Sequence, residues 1–364
     1  MHRKISSAWT GLYFTVCAVL VGIVPLMPAA AAEAVFPGAE WESKKPEEVG
    51  MDGAKLDQLA AKLGGNGFVV RDGYAVKAWG APTTPVGWLS SSKPVLTTLL
   101  FFAIDEKKAP EVDARIKYVG WDLKPKDDPM TYRHLADMVS GYARPEPPGE
   151  AFAYNDYAIQ LYFKTVEKLF GRPLTEVLRD RLEPLRFQDE ITFPRFVHAS
   201  PRDFARIGWF WLNKGTWGER EVLPIRYFNR YMKPDVPADL PETDHSAETD
   251  DYLGIGSYGG GSDHFTRHGP GIYGFNWWFN KTGGQHPTTR TWPDAPRDTI
   301  MSIGAGGNNC VIIPSLKLVL ASGKGDWGKL EAGNPDSKFN QALKLLAEAC
   351  ADARPRQPRR GRRQ

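Results

Sequence analysis

Hydrophobic spacing changes twice along this 364-residue chain. After Asp52, the apolar residues Leu56, Leu59 and Leu63 recur at three- and four-residue steps, which predicts a capped amphipathic helix. Gly67 to Arg71 and Tyr74 to Trp79 flank Asp72-Gly73, the pattern of two strands joined by a tight turn. Pro94 to Ile104 is almost continuously apolar and predicts a buried helix opened by Trp88-Leu-Ser-Ser-Ser-Lys93. From Glu111 to about Pro234 the helical period dominates, with helices expected over Thr131–Ser140, Tyr154–Leu169, Leu174–Leu185 and Pro201–Asn213. Asp235 to Gly271 is rich in Gly and Asp and reads as loop. Strand patterns return at Tyr273–Asn280, Thr299–Gly304, Asn309–Pro314 and Leu316–Ala321, and Ser337–Ala351 closes as a helix. The layout is an α+β fold: one antiparallel sheet, built from both ends of the chain, flanked by helices. The sheet lobe is expected over 36–110 and 255–352, with an inserted, mostly helical lobe over 111–254. A cleft between two such lobes is the default ligand site.

The start of the chain changes the picture of where it works. His2, Arg3 and Lys4 precede an apolar stretch from Leu12 to Met27, followed by small residues from Pro28 to Ala34. This is the pattern of a signal peptide over 1–32, implying an exported, periplasmic or secreted protein. A retained membrane anchor is the alternative, though the run is short and broken by Gly22 and Pro25. The formal charge of +3 misleads. Without Arg3, Lys4 and the six arginines beyond residue 353, 38 of the 46 basic residues remain against 43 acidic ones, a net charge of −5. Nothing in that body suggests nucleic acid. The basic tail over 353–364 reads as disordered, and it could touch an anionic surface such as lipid or cell-wall polymer. Cys310 and Cys350 permit a disulfide if the last helix packs on the strand holding Cys310; two buried thiols are the alternative. No zinc-binding spacing is present, and no cofactor is implied.

The candidate chemistry lies at Ser90 and Lys93. Residues three apart share a helix face, with Cβ atoms about 5–6 Å apart. A buried lysine loses its charge readily and can act as a base, which a serine nucleophile needs. The helix N-terminus favours anionic intermediates. A serine-any-any-lysine match arises about once by chance in a chain this long, so the pair alone carries little weight.

Other matches follow in order. Met130-Thr-Tyr-Arg-His134 runs on to Ser140-Gly141; Pro148-Gly149 precedes Tyr154-Asn155-Asp156; Ser200-Pro-Arg-Asp203 opens a helix; Ser302-Ile303-Gly304-Ala305 lies on a strand. Together these resemble the β-lactamase and penicillin-binding-protein superfamily of serine hydrolases, in its class C-like branch, from about Glu40 to Ala351. The resemblance implies that Ser90 is the acylated nucleophile and that Lys93 and Tyr154 move protons. The backbone N–H groups of Ser90 and Ala305 would form the oxyanion hole. Asp156, Ser302 and Gly304 would contact substrate.

Two departures bear on substrate. The family's second motif is tyrosine-any-asparagine, and here Asp156 holds the asparagine place. A carboxylate accepts hydrogen bonds but cannot donate them. The third motif commonly carries lysine or histidine where this chain has Ser302, and a cation there helps hold a substrate carboxylate. An uncharged ester or amide therefore fits better than a β-lactam or a D-amino-acid peptide. A catalytically silent binding domain on the same scaffold is the alternative of another class. Three stretches imitate motifs and are set aside: Lys281-Thr282-Gly283, Tyr227-Phe228-Asn229, and the glycine pattern from Gly323 to Gly328.

Overall fold

The computed structural model describes residues 34–261 and 266–351, with the side chains of Thr266 and Ala351 excepted. The expected signal peptide and basic tail lie outside the described residues. In chain order the elements are α1 (Gly53–Leu63), β1 (Asn66–Arg71), β2 (Tyr74–Trp79), β3 (Val86–Gly87), a 3₁₀ turn (Leu89–Ser92), α2 (Lys93–Asp105), α3 (Tyr132–Ala136), α4 (Asp156–Phe170) and α5 (Leu174–Arg181). Then come β4 (His198–Ala199), α6 (Pro201–Leu212), β5 (Thr216–Trp217), β6 (Arg220–Glu221) and α7 (Ile225–Tyr231). The last part holds β7 (Tyr273–Gly274), β8 (Trp277–Phe279), β9 (Ile300–Gly304), β10 (Asn308–Ile313), β11 (Leu318–Gly323) and α8 (Lys338–Ala351).

The main sheet has seven strands in the order β2-β1-β11-β10-β9-β8-β7, all neighbours antiparallel. The β1–β11 ladder, from Asn66 opposite Gly323 to Arg71 opposite Leu318, joins the two ends of the chain into one sheet. This is the expected α+β architecture with an inserted helical lobe. Asp52 caps α1 by accepting the N–H groups of Ala54 and Lys55. Helix α1 packs on α8, and α6 lies across β1, β10 and β11. The α6 crossing needs Gly208: a Cβ there would sit 2.7 Å from Val319 and 2.8 Å from the Cys310 sulfur. Trp209, Phe210 and Trp211 are fully buried, as an α6 at the core requires.

Three elements differ from their sequence patterns. The stretch over Tyr273–Asn280 is a hairpin of two short strands rather than one strand. Phe275 and Asn276 both have positive φ, 46° and 71°, which turns the chain. Asn tolerates that conformation; Phe275 is held in it by a 2.6 Å hydrogen bond from its N–H to Asp137 and by its ring packing on Phe101 and Tyr231. Helix α3 stops at Ala136 rather than Ser140, because Met138 is left-handed (φ 60°) and the Asp137 carboxylate is committed to that hairpin. The helix expected to begin at the Ser90 motif is divided, a 3₁₀ turn handing over to α2 at Lys93. Cys310 and Cys350 are buried free thiols, the second of the two readings open in the sequence.

Candidate active site

The turn carrying Ser90 is fixed on both sides by its neighbours. Trp88 donates its backbone N–H to Val197 and its indole N–H to Ala199, and stacks on Phe204 with centroids 3.7 Å apart. Ser91 donates its hydroxyl to the Asn308 carbonyl, and the Ser92 hydroxyl accepts the Val197 N–H at 2.8 Å. These two serines are thus tied to the scaffold, whereas Ser90 lines a cavity of about 410 Å³. Leu89, just before it, has φ +46°, a conformation that costs a β-carbon-bearing residue of order 1–3 kcal/mol. Strain beside a candidate nucleophile is a feature of preorganised sites.

Lys93 opens α2, three residues on, and is 1% exposed. Its Nζ lies 3.8 Å from the centroid of the Tyr154 ring and has no hydrogen-bond partner among the described residues. Burial lowers its pKa from 10.5 to about 7, against the opposing pull of the Asp156 carboxylate. Desolvation outweighs the carboxylate. The Tyr154 ring also packs on Tyr273 and Trp278, with centroids 6.0 and 5.9 Å away. An ionisable amine is thereby brought against a phenol behind the cavity wall.

The α4 start separates the two adjacent polar residues. Asn155 is the N-cap: its side-chain oxygen accepts the Ala158 N–H at 2.7 Å and its amide donates to the Tyr142 carbonyl at 3.2 Å. Asn155 therefore cannot stand in for an amide in the cavity. Asp156 lines the cavity and is tied to the loop 258–261. Its N–H donates to Gly261 (3.0 Å), its carbonyl accepts the Tyr258 N–H (2.9 Å), and its carboxylate accepts the Gly261 N–H (3.2 Å).

Ala305 also lines the cavity, directly after Gly304, the last paired residue of β9. Ser302 and Gly304 are not among the lining residues; both are buried in β9. The Ser302 hydroxyl has no hydrogen-bond partner among the described residues. Gly304 lets β9 run against the serine turn: a Cβ there would fall 2.5 Å from the Trp88 carbonyl oxygen and 3.0 Å from the Ser91 nitrogen. Leu89 and Phe196 line the cavity without having been singled out in the sequence. Phe196 sits in an irregular segment before β4, where no motif or period marks it. Lys281 is exposed in a loop, and Tyr227 packs on Phe101 from α7, outside the cavity lining. After Gly328 the chain stays irregular until α8 begins at Lys338, so no helix follows that glycine pattern.

The site thus gathers a serine, a buried low-pKa lysine, a tyrosine and a loop backbone around one opening. Solved structures share the fold at low identity. A protein assigned as a 6-aminohexanoate-dimer hydrolase from Bacillus anthracis aligns at 16% identity and TM-score 0.57, covering 86% of each chain. A β-lactamase from Mycobacterium bovis aligns at 17% identity and TM-score 0.56, over 81% of this chain and 99% of that one. A β-lactamase/D-alanine carboxypeptidase from Yersinia pestis, complexed with citrate, aligns at 13% and 0.55, over 81% and 97%. No curated protein matches the chain. The family model described as Beta-lactamase matches residues 54–322, most of the chain. On that match, the chain belongs to the beta-lactamase family.

Proposed function

We propose that this protein is a serine hydrolase that cleaves an ester or amide through an acyl-enzyme on Ser90. The observation that carries the reading is Lys93, buried beside Tyr154, with its pKa lowered to about 7 next to a cavity lined by Ser90. Lys93, as the free amine, and Tyr154 take the Ser90 proton as Oγ attacks the substrate carbonyl. The backbone N–H groups of Ser90 and Ala305 stabilise the oxyanion; two such donors contribute several kcal/mol. The carbon–oxygen or carbon–nitrogen bond then breaks, and Tyr154 passes the proton to the leaving group. Water attacks the acyl ester, and the acid departs with Ser90 restored. No cofactor enters this scheme. Its substrate is a small molecule, and the leader-like start of the chain supports an enzyme that acts after export.

The cavity lining disfavours substrates that need a cation or a side-chain amide. Asp156 can only accept hydrogen bonds, no lysine, arginine or histidine is among the lining residues, and the β9 position two before Gly304 holds Ser302 rather than a cation. Turnover of a panel tests this directly: short-chain nitrophenyl esters, an anilide, a chromogenic β-lactam and a D-alanyl-D-alanine peptide. We expect ester turnover with kcat/KM reduced about 10³-fold or more in Ser90→Ala. Faster turnover of the β-lactam or the peptide than of every ester would replace this reading with a β-lactamase or peptidase.

A further inference from the structure

The Ala305 N–H, second donor of the proposed oxyanion hole, sits at the start of a turn that cannot anchor itself. Gly306 and Gly307 follow, both at positive φ (67° and 72°), and bring no side chain to hold it. Asn308, 4% exposed at the start of β10, reaches back across this turn. Its side-chain amide donates to the Ala305 carbonyl at 2.7 Å, and its side-chain oxygen accepts the Lys324 N–H at 3.0 Å. A carbonyl on one side and an N–H on the other fix which end of the amide faces which partner. The Asn308 backbone carbonyl accepts the Ser91 hydroxyl. Asn309 holds the other flank, its side-chain oxygen accepting the Gly304 N–H at 3.1 Å.

One residue therefore touches both halves of the hole. Through Ser91 it holds the turn that presents the Ser90 N–H, and through the Ala305 carbonyl it holds the turn that presents the other donor. We propose that Asn308 is a positioning residue for the reaction, setting the separation and aim of the two oxyanion donors. The proposal deepens the acyl-enzyme reading and rests on it. Asn308 is not among the residues lining the cavity, so it acts through Ala305 rather than on substrate. Donors stabilise a transition state only when they are already aimed at the place where charge develops.

Asn308→Asp keeps the shape of the side chain and the oxygen that accepts the Lys324 N–H, but the atom facing the Ala305 carbonyl becomes a second acceptor. Hydrolysis of p-nitrophenyl butyrate by the full chain and inhibition by phenylboronic acid test its effect. Turnover is referred to the serines labelled by a fluorophosphonate at completion, so misfolded molecules do not count. Acylation and deacylation both develop the oxyanion, so poor aim slows both steps and spares KM. We expect kcat to fall about 10–100-fold with KM within about threefold. Phenylboronic acid forms a tetrahedral adduct on Ser90 with an oxygen in the hole, and it should bind more weakly by a similar factor. Asn308→Ala loses both side-chain bonds but keeps the carbonyl that holds Ser91; it should lose as much, and it decides if the aspartate variant fails to fold. A kcat within about twofold of the parent, a change confined to KM, or unchanged boronate affinity would overturn the proposal. So would the mark of a merely structural role, a smaller labelled fraction with parental turnover per labelled serine. The boronate comparison decides alone if the ester is not turned over. A parent that takes neither fluorophosphonate nor boronate would overturn the hydrolase reading itself, and this proposal with it.

Discussion

At the scale of single residues, the proposed activation of Ser90 turns on the charge of Lys93. Its amine is a base only when neutral, and burial sets that transition near pH 7 rather than 10.5. The neutral fraction rises as pH rises through the lowered pKa. We therefore expect kcat/KM for a neutral ester to climb about tenfold per pH unit below pH 7 and to level above it. A profile flat from pH 6 to 9 would contradict a base at Lys93. Ser90 and Lys93 stand out in the sequence by their three-residue spacing, whereas Tyr154 and Asp156 are singled out only by the resemblance of Tyr154-Asn155-Asp156 to the family's second motif. Phe196 was not legible: it reaches the cavity through a long-range contact with Tyr258, which no local period encodes.

At the scale of elements, the site depends on how closely β9 approaches the 3₁₀ turn. The sequence suggested that Gly304 meets substrate; in the fold it meets backbone. Neither the Trp88 carbonyl nor the Ser91 nitrogen can swing aside as a flexible side chain would. Gly304→Ala must therefore move the turn or the strand. Displacing a reacting group by about 1 Å can cost 10²-fold in rate. We expect kcat/KM to fall by about that factor, with destabilisation of about 1–3 kcal/mol in denaturant unfolding. An unchanged kcat/KM would show that this contact does not position Ser90. The hairpin at Phe275-Asn276 illustrates what element patterns miss. Aromatic alternation read as a single strand because the turn residue Phe275 is stabilised by distant partners, Asp137, Phe101 and Tyr231, rather than by local turn chemistry.

At the scale of the whole molecule, the fold places the serine turn, Ala305 at the end of β9 and the loop from Tyr258 to Gly260 around one cavity although they are far apart in sequence. The split origin of the sheet was legible from the period change at both ends of the helical insertion. The small pairs β3–β4 and β5–β6 were not, since two-residue strands leave no alternation to detect. Of that first pair, β3 lies directly before the Ser90 turn, with Gly87 opposite His198.

The central claim is that the assembled fold activates one serine. The most direct measurement is intact-mass analysis of the purified protein after reaction with a fluorophosphonate, beside Ser90→Ala. An activated Ser90 gives a single covalent adduct on the parent protein and none on the variant. No adduct on the folded parent, or equal labelling of both proteins, would contradict it.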